Sequence, residues 1–285
     1  VLFRSLGGKS ETAVRDCLAA RYPRESYTLT NKLSVHFFER ESDIRPLFEQ
    51  QLKATGVEYF DYYLMHAQDE NIYRHFMKCN AYQVVQKLKE EGKIRHMGIS
   101  FHDKADVLDM ILKEHPEIEI VQIQFNYMDY ESPSVESRKV YEVCRKYGKP
   151  VLVMEPVKGG GLARLPEEAK RELEDLGTGE SPAAYAVRFA ASFDGVFKVL
   201  SGMSDMEQMK DNVSVMKAFR PFKEEEYKAV KRVCEILNTM DTIPCTACRY
   251  CTDGCPKHIQ IPDLFGCFNA KKQFGDWNSR SEEHT

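Results

Sequence analysis

Six apolar runs alternate with amphipathic runs along this chain, and that alternation constrains the fold more than any other feature. The runs predicted as strands are Tyr27 to Lys32, Tyr59 to His66, His96 to Ser100, Glu119 to Gln124, Pro150 to Met154 and Val196 to Leu200. Between them lie runs with helical spacing. Ser42 to Thr55 places Ile44, Leu47, Phe48 and Leu52 on one face; Ala81 to Glu91 stops at Gly92. Lys104 to Lys113 and Val135 to Tyr147 follow, the latter ending at Gly148. Ser181-Pro182 starts another helix, with Ser as N-cap and Pro at the first position, and Asp205 to about Ala218 is the next. Strand–helix units in series build either a doubly wound sheet or a barrel. A dinucleotide-binding doubly wound sheet would show G-x-G-x-x-G after its first strand, and this chain shows none. With 285 residues, 42% of them hydrophobic, there is room for one large domain and a small one. A helix from Glu225 to Thr239 leads to a boundary near Asp241, giving a body over 6–240 and a small segment over 241–279.

That small segment carries Cys245, Cys248, Cys251 and Cys255 in the spacing C-x2-C-x2-C-x3-C, with Pro256 next. This is the cysteine run of bacterial ferredoxins, which hold cubane iron–sulfur clusters through thiolates. Four thiolates in so few residues are predicted to point at one spot. Zinc is the other metal such a set could hold, although zinc sites separate two C-x2-C pairs more widely. Disulfides fit less well, because nothing else points to secretion. Pro244, Pro256 and Pro262 predict a loop through the run, with a helix over Leu264 to Ala270. Cys17, Cys79, Cys144 and Cys234 are scattered and read as small core residues. The net charge of −4 leaves no nucleic-acid footprint. No apolar stretch approaches the roughly 20 residues of a membrane span, and no secretory h-region opens the chain. A reducing cytoplasm is the expected compartment.

Polar residues at strand ends are the candidates for chemistry, because a barrel works at that face. Lys32, His66, Ser100 with His102, and Gln122, Gln124 and Asn126 end the first four strands in turn. With them, Gly8-Lys9-Ser10-Glu11, Thr30-Asn31-Lys32, Asp61-Tyr62-Tyr63-Leu64-Met65-His66, Gly98-Ile99-Ser100, Val121-Gln122 and Glu207 to Asn212 make the chain resemble the aldo-keto reductase family. The resemblance runs from Gly7 to about Phe219. It implies an α/β fold, the (β/α)8 TIM barrel, here lacking its first two strands, followed by a small helical ferredoxin-like iron–sulfur segment. It also implies an oxidoreductase that transfers hydride between NAD(P)H and a small carbonyl or alcohol. Lys32 matches the catalytic Lys and His66 the catalytic His. An ammonium beside a Tyr hydroxyl lowers the Tyr pKa, and a His orients the carbonyl oxygen. By the same resemblance Ser100 and Gln122 would hold the nicotinamide carboxamide. Gly202 to Ser204 would take phosphate on backbone N–H groups, and Glu207 and Asn212 would approach the adenine.

The match has departures. Ser5 stands where the family Tyr belongs, and the position of the family Asp lies before residue 1. Met154 replaces the aromatic that stacks on the nicotinamide. Gly202 and Gln208 replace the basic residues that clamp a 2′-phosphate, and Phe101 replaces an Asn. Val1 to Ser5 and Arg280 to Thr285 do not continue the family pattern, and the chain reads as a fragment cut at both ends. Ile243-Pro244-Cys245 through Ile261-Pro262, and Phe274-Gly275-Asp276-Trp277, are similar to a subfamily with a 4Fe-4S ferredoxin-like tail. There Cys245, Cys248 and Cys251 would bind one cluster and Cys255 a second; in this chain Cys255 would serve as the fourth ligand, with Cys267 a weaker substitute. The expectation is a reductase barrel joined to an iron–sulfur carrier that serves an electron-transfer protein, with this chain impaired in hydride chemistry. Alternatives are a cluster-bearing module on an inactive barrel and a zinc-stabilised binding protein.

Overall fold

The computed structural model describes residues 9–275 except 241, 247, 249, 254 and 258. Its strands are β1 (Thr30–Leu33), β2 (Phe60–Gln68), β3 (Ile94–Phe101), β4 (Ile120–Gln124), β5 (Val151–Met154) and β6 (Val196–Val199). They are hydrogen-bonded in chain order in one six-stranded sheet. The β1–β2, β2–β3 and β3–β4 pairs are parallel, with Lys32 opposite Leu64, Leu64 opposite Gly98 and Ser100 opposite Gln122. Every residue of β1 and β5 is buried, as befits parallel strands covered on both faces.

The helices are α1 (Lys9–Val14), α2 (Glu41–Thr55), α3 (Glu70–Lys78), α4 (Ala81–Glu90), α5 (Ala105–Glu114), α6 (Ser137–Lys146), α7 (Glu167–Glu174), α8 (Pro182–Ala191), α9 (Met206–Lys217), α10 (Glu224–Thr239), α11 (Tyr250–Asp253) and α12 (Ile261–Phe274). Ser181 caps α8 by accepting from the Ala184 N–H at 3.0 Å, with Pro182 at the first position, as its sequence predicts. The start of β1 is three residues later than the apolar run predicts. The Asp61 carboxylate takes the Leu29 N–H at 2.8 Å, which holds that backbone group out of a strand ladder. Four helices, α1, α3, α7 and α11, have no counterpart among the predicted elements.

The chain divides into two compact units, 1–123 with 140–152, and 124–139 with 153–285. In the first, Leu64, Ile120 and Leu152 form a buried cluster with Tyr62 against it. Gly98 is required there: a Cβ would lie 2.4 Å from the Ile120 carbonyl oxygen and 2.8 Å from Leu64. In the second, Ala184, Val187 and Val215 pack with Val157 and Val199. Its buried charge is concentrated at Arg188, 1% exposed, which grips the Glu226 carboxylate with one nitrogen at 2.8 and 3.0 Å. Glu180 and Arg220 complete this four-membered network. Among the described residues no helix is long and apolar enough to cross a membrane.

Candidate active site

In the first unit the strand ends gather polar side chains in a dry setting. Lys32 is 3% exposed, and its backbone is fixed from two sides. Its N–H donates to Asn31 Oδ1 at 2.8 Å, and its carbonyl accepts from Gln51 Nε2 at 2.9 Å. Gln51 in turn accepts from the Tyr63 hydroxyl at 2.7 Å. On the neighbouring strand, His66 Nδ1 lies 2.7 Å from Ser34 Oγ. Burial first, then the charges of Lys32, His102 and His36, push the His66 pKa down to about 3, so the ring is neutral at physiological pH.

The backbone after His66 is special. β2 is irregular between Met65 and Gln68, and Ala67 has φ +55°, a conformation that L residues with a Cβ rarely take. Ser100 Oγ accepts the Ala67 N–H at 2.8 Å and so secures the bulge. Thus Ser100, fully buried, holds the strand that carries His66. Its own hydroxyl proton is still available to an acceptor. Register pairing sets Ser100 and Gln122 side by side on β3 and β4. Both side chains can address one amide group, so this pair fits the nicotinamide carboxamide that the resemblance assigns to it.

In the second unit Gly202 and Ser204 precede α9, Glu207 lies in its first turn and Asn212 in its middle. A Cβ at Gly202 would meet nothing within 4 Å. The Ser204 N–H donates to Gln208 Oε1 at 2.8 Å, and Asp205 Oδ1 accepts from the Glu207 and Gln208 N–H groups at 2.9 Å each. A phosphate bound here through Ser204 would have to displace the Gln208 side chain. Asn212 Nδ2 donates to Ser201 Oγ at 3.0 Å, and Glu207 is exposed.

Gln124 and Asn126, singled out as strand-end candidates, are committed to structure. Both donate to Asp129 Oδ2 at 2.8 Å, while Lys158 Nζ donates to Asp129 Oδ1 at 2.5 Å. Burial alone would raise the Asp129 pKa; Lys158 and these amides hold it below the ordinary value. This pair, Ser34 and the Ala67 bulge were not anticipated. Asp129 and Lys158 are distant in sequence, and nothing in the local spacing marks their meeting.

The cysteine segment differs from its expectation. Cys245 and Cys255 are half-buried; Cys248 and Cys251 are exposed, and Cys251 lies on the short helix α11 rather than in a loop. Among the described residues no three Cys, His, Asp or Glu side chains converge into a group that could hold a metal ion. The donors themselves are of the right chemistry. The Tyr250 N–H and the Thr246 hydroxyl, bonded to its sulfur, hold the Cys248 thiol below the ordinary cysteine value. Cys-rich metal sites seldom exist before the metal arrives, because binding and local folding are one step. Asn269 on α12 brackets the chain before the run, accepting from the Ile243 N–H at 2.7 Å and donating to its carbonyl at 2.8 Å. Of the scattered cysteines, Cys79 and Cys144 are core residues as expected, Cys234 is half-buried and Cys17 is exposed.

A profile of the Aldo/keto reductase family matches residues 7–235. The chain belongs to the aldo/keto reductase family. Solved structures share this fold. Aldo-keto reductase AKR11C1 from Bacillus halodurans superposes with a TM-score of 0.61 at 23% identity, covering 80% of this chain and 78% of that one. An aldo-keto reductase from Klebsiella pneumoniae, in complex with NADPH, gives 0.64 at 19% identity over 79% and 75%. A curated relative, the uncharacterized oxidoreductase YqkF of Bacillus subtilis, is 24% identical over 206 residues, 66% of this chain. The chain thus spans 64% of the length of that relative. The predicted family is borne out, and the α/β fold with its six-stranded sheet is consistent with the TIM-barrel-like fold of that family. The cysteine segment lies beyond the matched residues. Ser5, Gly7 and Gly8, the boundary residue Asp241, Asp276 with Trp277, and Arg280 to Thr285 lie outside the described residues.

Proposed function

We propose that this chain is the reductase barrel of a nicotinamide-dependent oxidoreductase acting on a small carbonyl or alcohol, joined to an iron–sulfur electron carrier. The observation that carries the barrel half is the placement of buried Lys32 and a neutral, fixed His66 at the ends of adjacent parallel strands, beside the Ser100–Gln122 pair. A bound nicotinamide supplies or accepts the hydride. Ser100 and Gln122 orient its carboxamide. His66 hydrogen-bonds the substrate oxygen and holds it in line, which a neutral imidazole can do across the physiological pH range. The Lys32 ammonium supplies positive charge where an alkoxide or phenolate would develop. Ser5, in place of the family Tyr, leaves the proton relay incomplete, so this chain binds cofactor but turns over carbonyls slowly. The YqkF relative, named an oxidoreductase, and the Klebsiella enzyme solved with NADPH support the class.

Titration with NADH and NADPH tests this half. Saturable binding that Ser100→Ala or Gln122→Ala weakens is expected. Absence of binding by either cofactor, or robust carbonyl turnover by the present chain, would contradict it.

For the other half, Cys245, Cys248, Cys251 and Cys255 would hold a 4Fe-4S cluster, which passes single electrons to or from a protein partner. The spacing of the run and the depressed Cys248 thiol support this reading. Iron and sulfide in equal amounts are expected in protein purified without oxygen; colourless protein carrying zinc alone would sink it. A cytoplasmic, reducing compartment would keep these thiols available.

A further inference from the structure

We propose that Ser34 is a positioning residue that selects the tautomer of His66: its hydroxyl donates to Nδ1, so the ring proton resides on Nε2. The geometry favours that direction. The Ser34 Oγ–His66 Nδ1 separation is 2.7 Å, the usual length for a hydroxyl donor and short for a ring N–H donor. Ser34 has one proton to give, and among the described residues His66 Nδ1 is its one side-chain partner. If Nδ1 donated instead, the Ser34 proton would be left without an acceptor in a half-buried place, a costly arrangement.

The surroundings make the question a matter of tautomer and not of charge. Lys32 on β1, His36 in the turn that follows it and His102 beyond β3 all oppose a second proton on the ring. Burial opposes it most of all. A neutral imidazole has one N–H to offer, and only the Nε2–H form can donate from the buried Nε2 atom. Ser34 is well placed to enforce that form. It directly follows β1, where Leu33 is in register with Met65, so neighbouring parallel strands fix the distance between the Ser34 and His66 backbones. The Ala67 N–H bond to Ser100 secures the other side. The consequence is a ring N–H on Nε2 able to donate to an oxygen atom of a bound substrate or product.

The use of that donor rests on the carbonyl-reductase reading above, but the tautomer does not, and the experiment separates the two. The full chain, labelled with 15N-histidine, is examined by NMR at pH 7 without cofactor, and the His66 signals are assigned by their loss in His66→Gln. Protonated Nε2 and bare, hydrogen-bonded Nδ1 are expected, and Ser34→Thr should retain both. Ser34→Ala should move the tautomer ratio toward Nδ1–H by about 2- to 10-fold, the worth of one hydrogen bond. Protonated Nδ1 in the natural chain, or an unchanged ratio in Ser34→Ala, would overturn the proposal. Should Ser34→Ala fail to fold, the natural chain and Ser34→Thr decide the matter. The expected tautomer in a protein that binds no nicotinamide would remove the reductase reading and leave this one standing.

Discussion

The strand ends around His66 and the cysteine run are built in opposite ways. Around His66 the polar groups are buried and bonded before any ligand is present: Ser34 on the ring, Ser100 on the next N–H, Gln51 on the Lys32 carbonyl. In the cysteine run two thiols are exposed and no three ligating side chains meet among the described residues. Strand pairing prepays the entropy of ordering a site, as sheet hydrogen bonds and core packing hold every backbone position. A short segment outside the sheet, with two of its thiols exposed, lacks that support and depends on its ligand to order it. The barrel region should therefore respond strongly to single substitutions and weakly to iron, and the cysteine run the reverse.

The largest effect is expected at the buried network of the barrel. Arg188→Ala leaves Glu226 charged and 2% exposed, and should cost about 3–5 kcal/mol in denaturant unfolding. A cost below about 1 kcal/mol would mean that this network is not the support it looks to be. The effect has a sign in pH. Burial alone would raise the Glu226 pKa, but the Lys223 N–H and the Arg188 and Arg220 guanidiniums hold it below its ordinary value. Such a group contributes stability above its unfolded pKa and loses it as pH falls through the folded one. The gap between natural and Arg188→Ala protein should narrow as pH drops below about 4.3.

A middle-sized effect belongs to Ser100→Ala. It strands the Ala67 N–H in a left-handed bulge and should cost about 1–3 kcal/mol. Nicotinamide affinity should fall with it. Unchanged stability together with unchanged affinity would break the claim that this hydroxyl serves both strand and cofactor. On the cysteine side, Asn269→Ala removes both bonds to Ile243 and should cost only about 1 kcal/mol of metal-free stability. Smallest of all is Cys248→Ser: the side chain is exposed, so metal-free unfolding should shift by less than about 0.5 kcal/mol, while iron uptake is lost.

Most of the barrel was legible because its signals are local. The Ser181-Pro182 cap, the periodic faces and the strand runs each announce an element within a few residues. Helix α3 was readable too: Asp69 accepts from the Ile72 N–H at 2.7 Å, and Tyr73 and Phe76 are its buried positions. What local pattern cannot show is side-chain pairing across strands. Ser34 is an ordinary residue until β1 and β2 pair, and Ala67 carries no mark of its positive φ. Convergence of the four cysteines was inferred from spacing alone, and spacing does not supply the contacts that would hold them together.

Amide hydrogen exchange before and after anaerobic loading with iron and sulfide tests the contrast most directly. The described residues between 242 and 260 should exchange fast in the metal-free chain and become strongly protected on loading, while β1, β2 and β3 stay protected throughout. Protection of those residues without iron, or no gain with it, would contradict an account in which the barrel site is built by the fold and the cysteine site by its ligand.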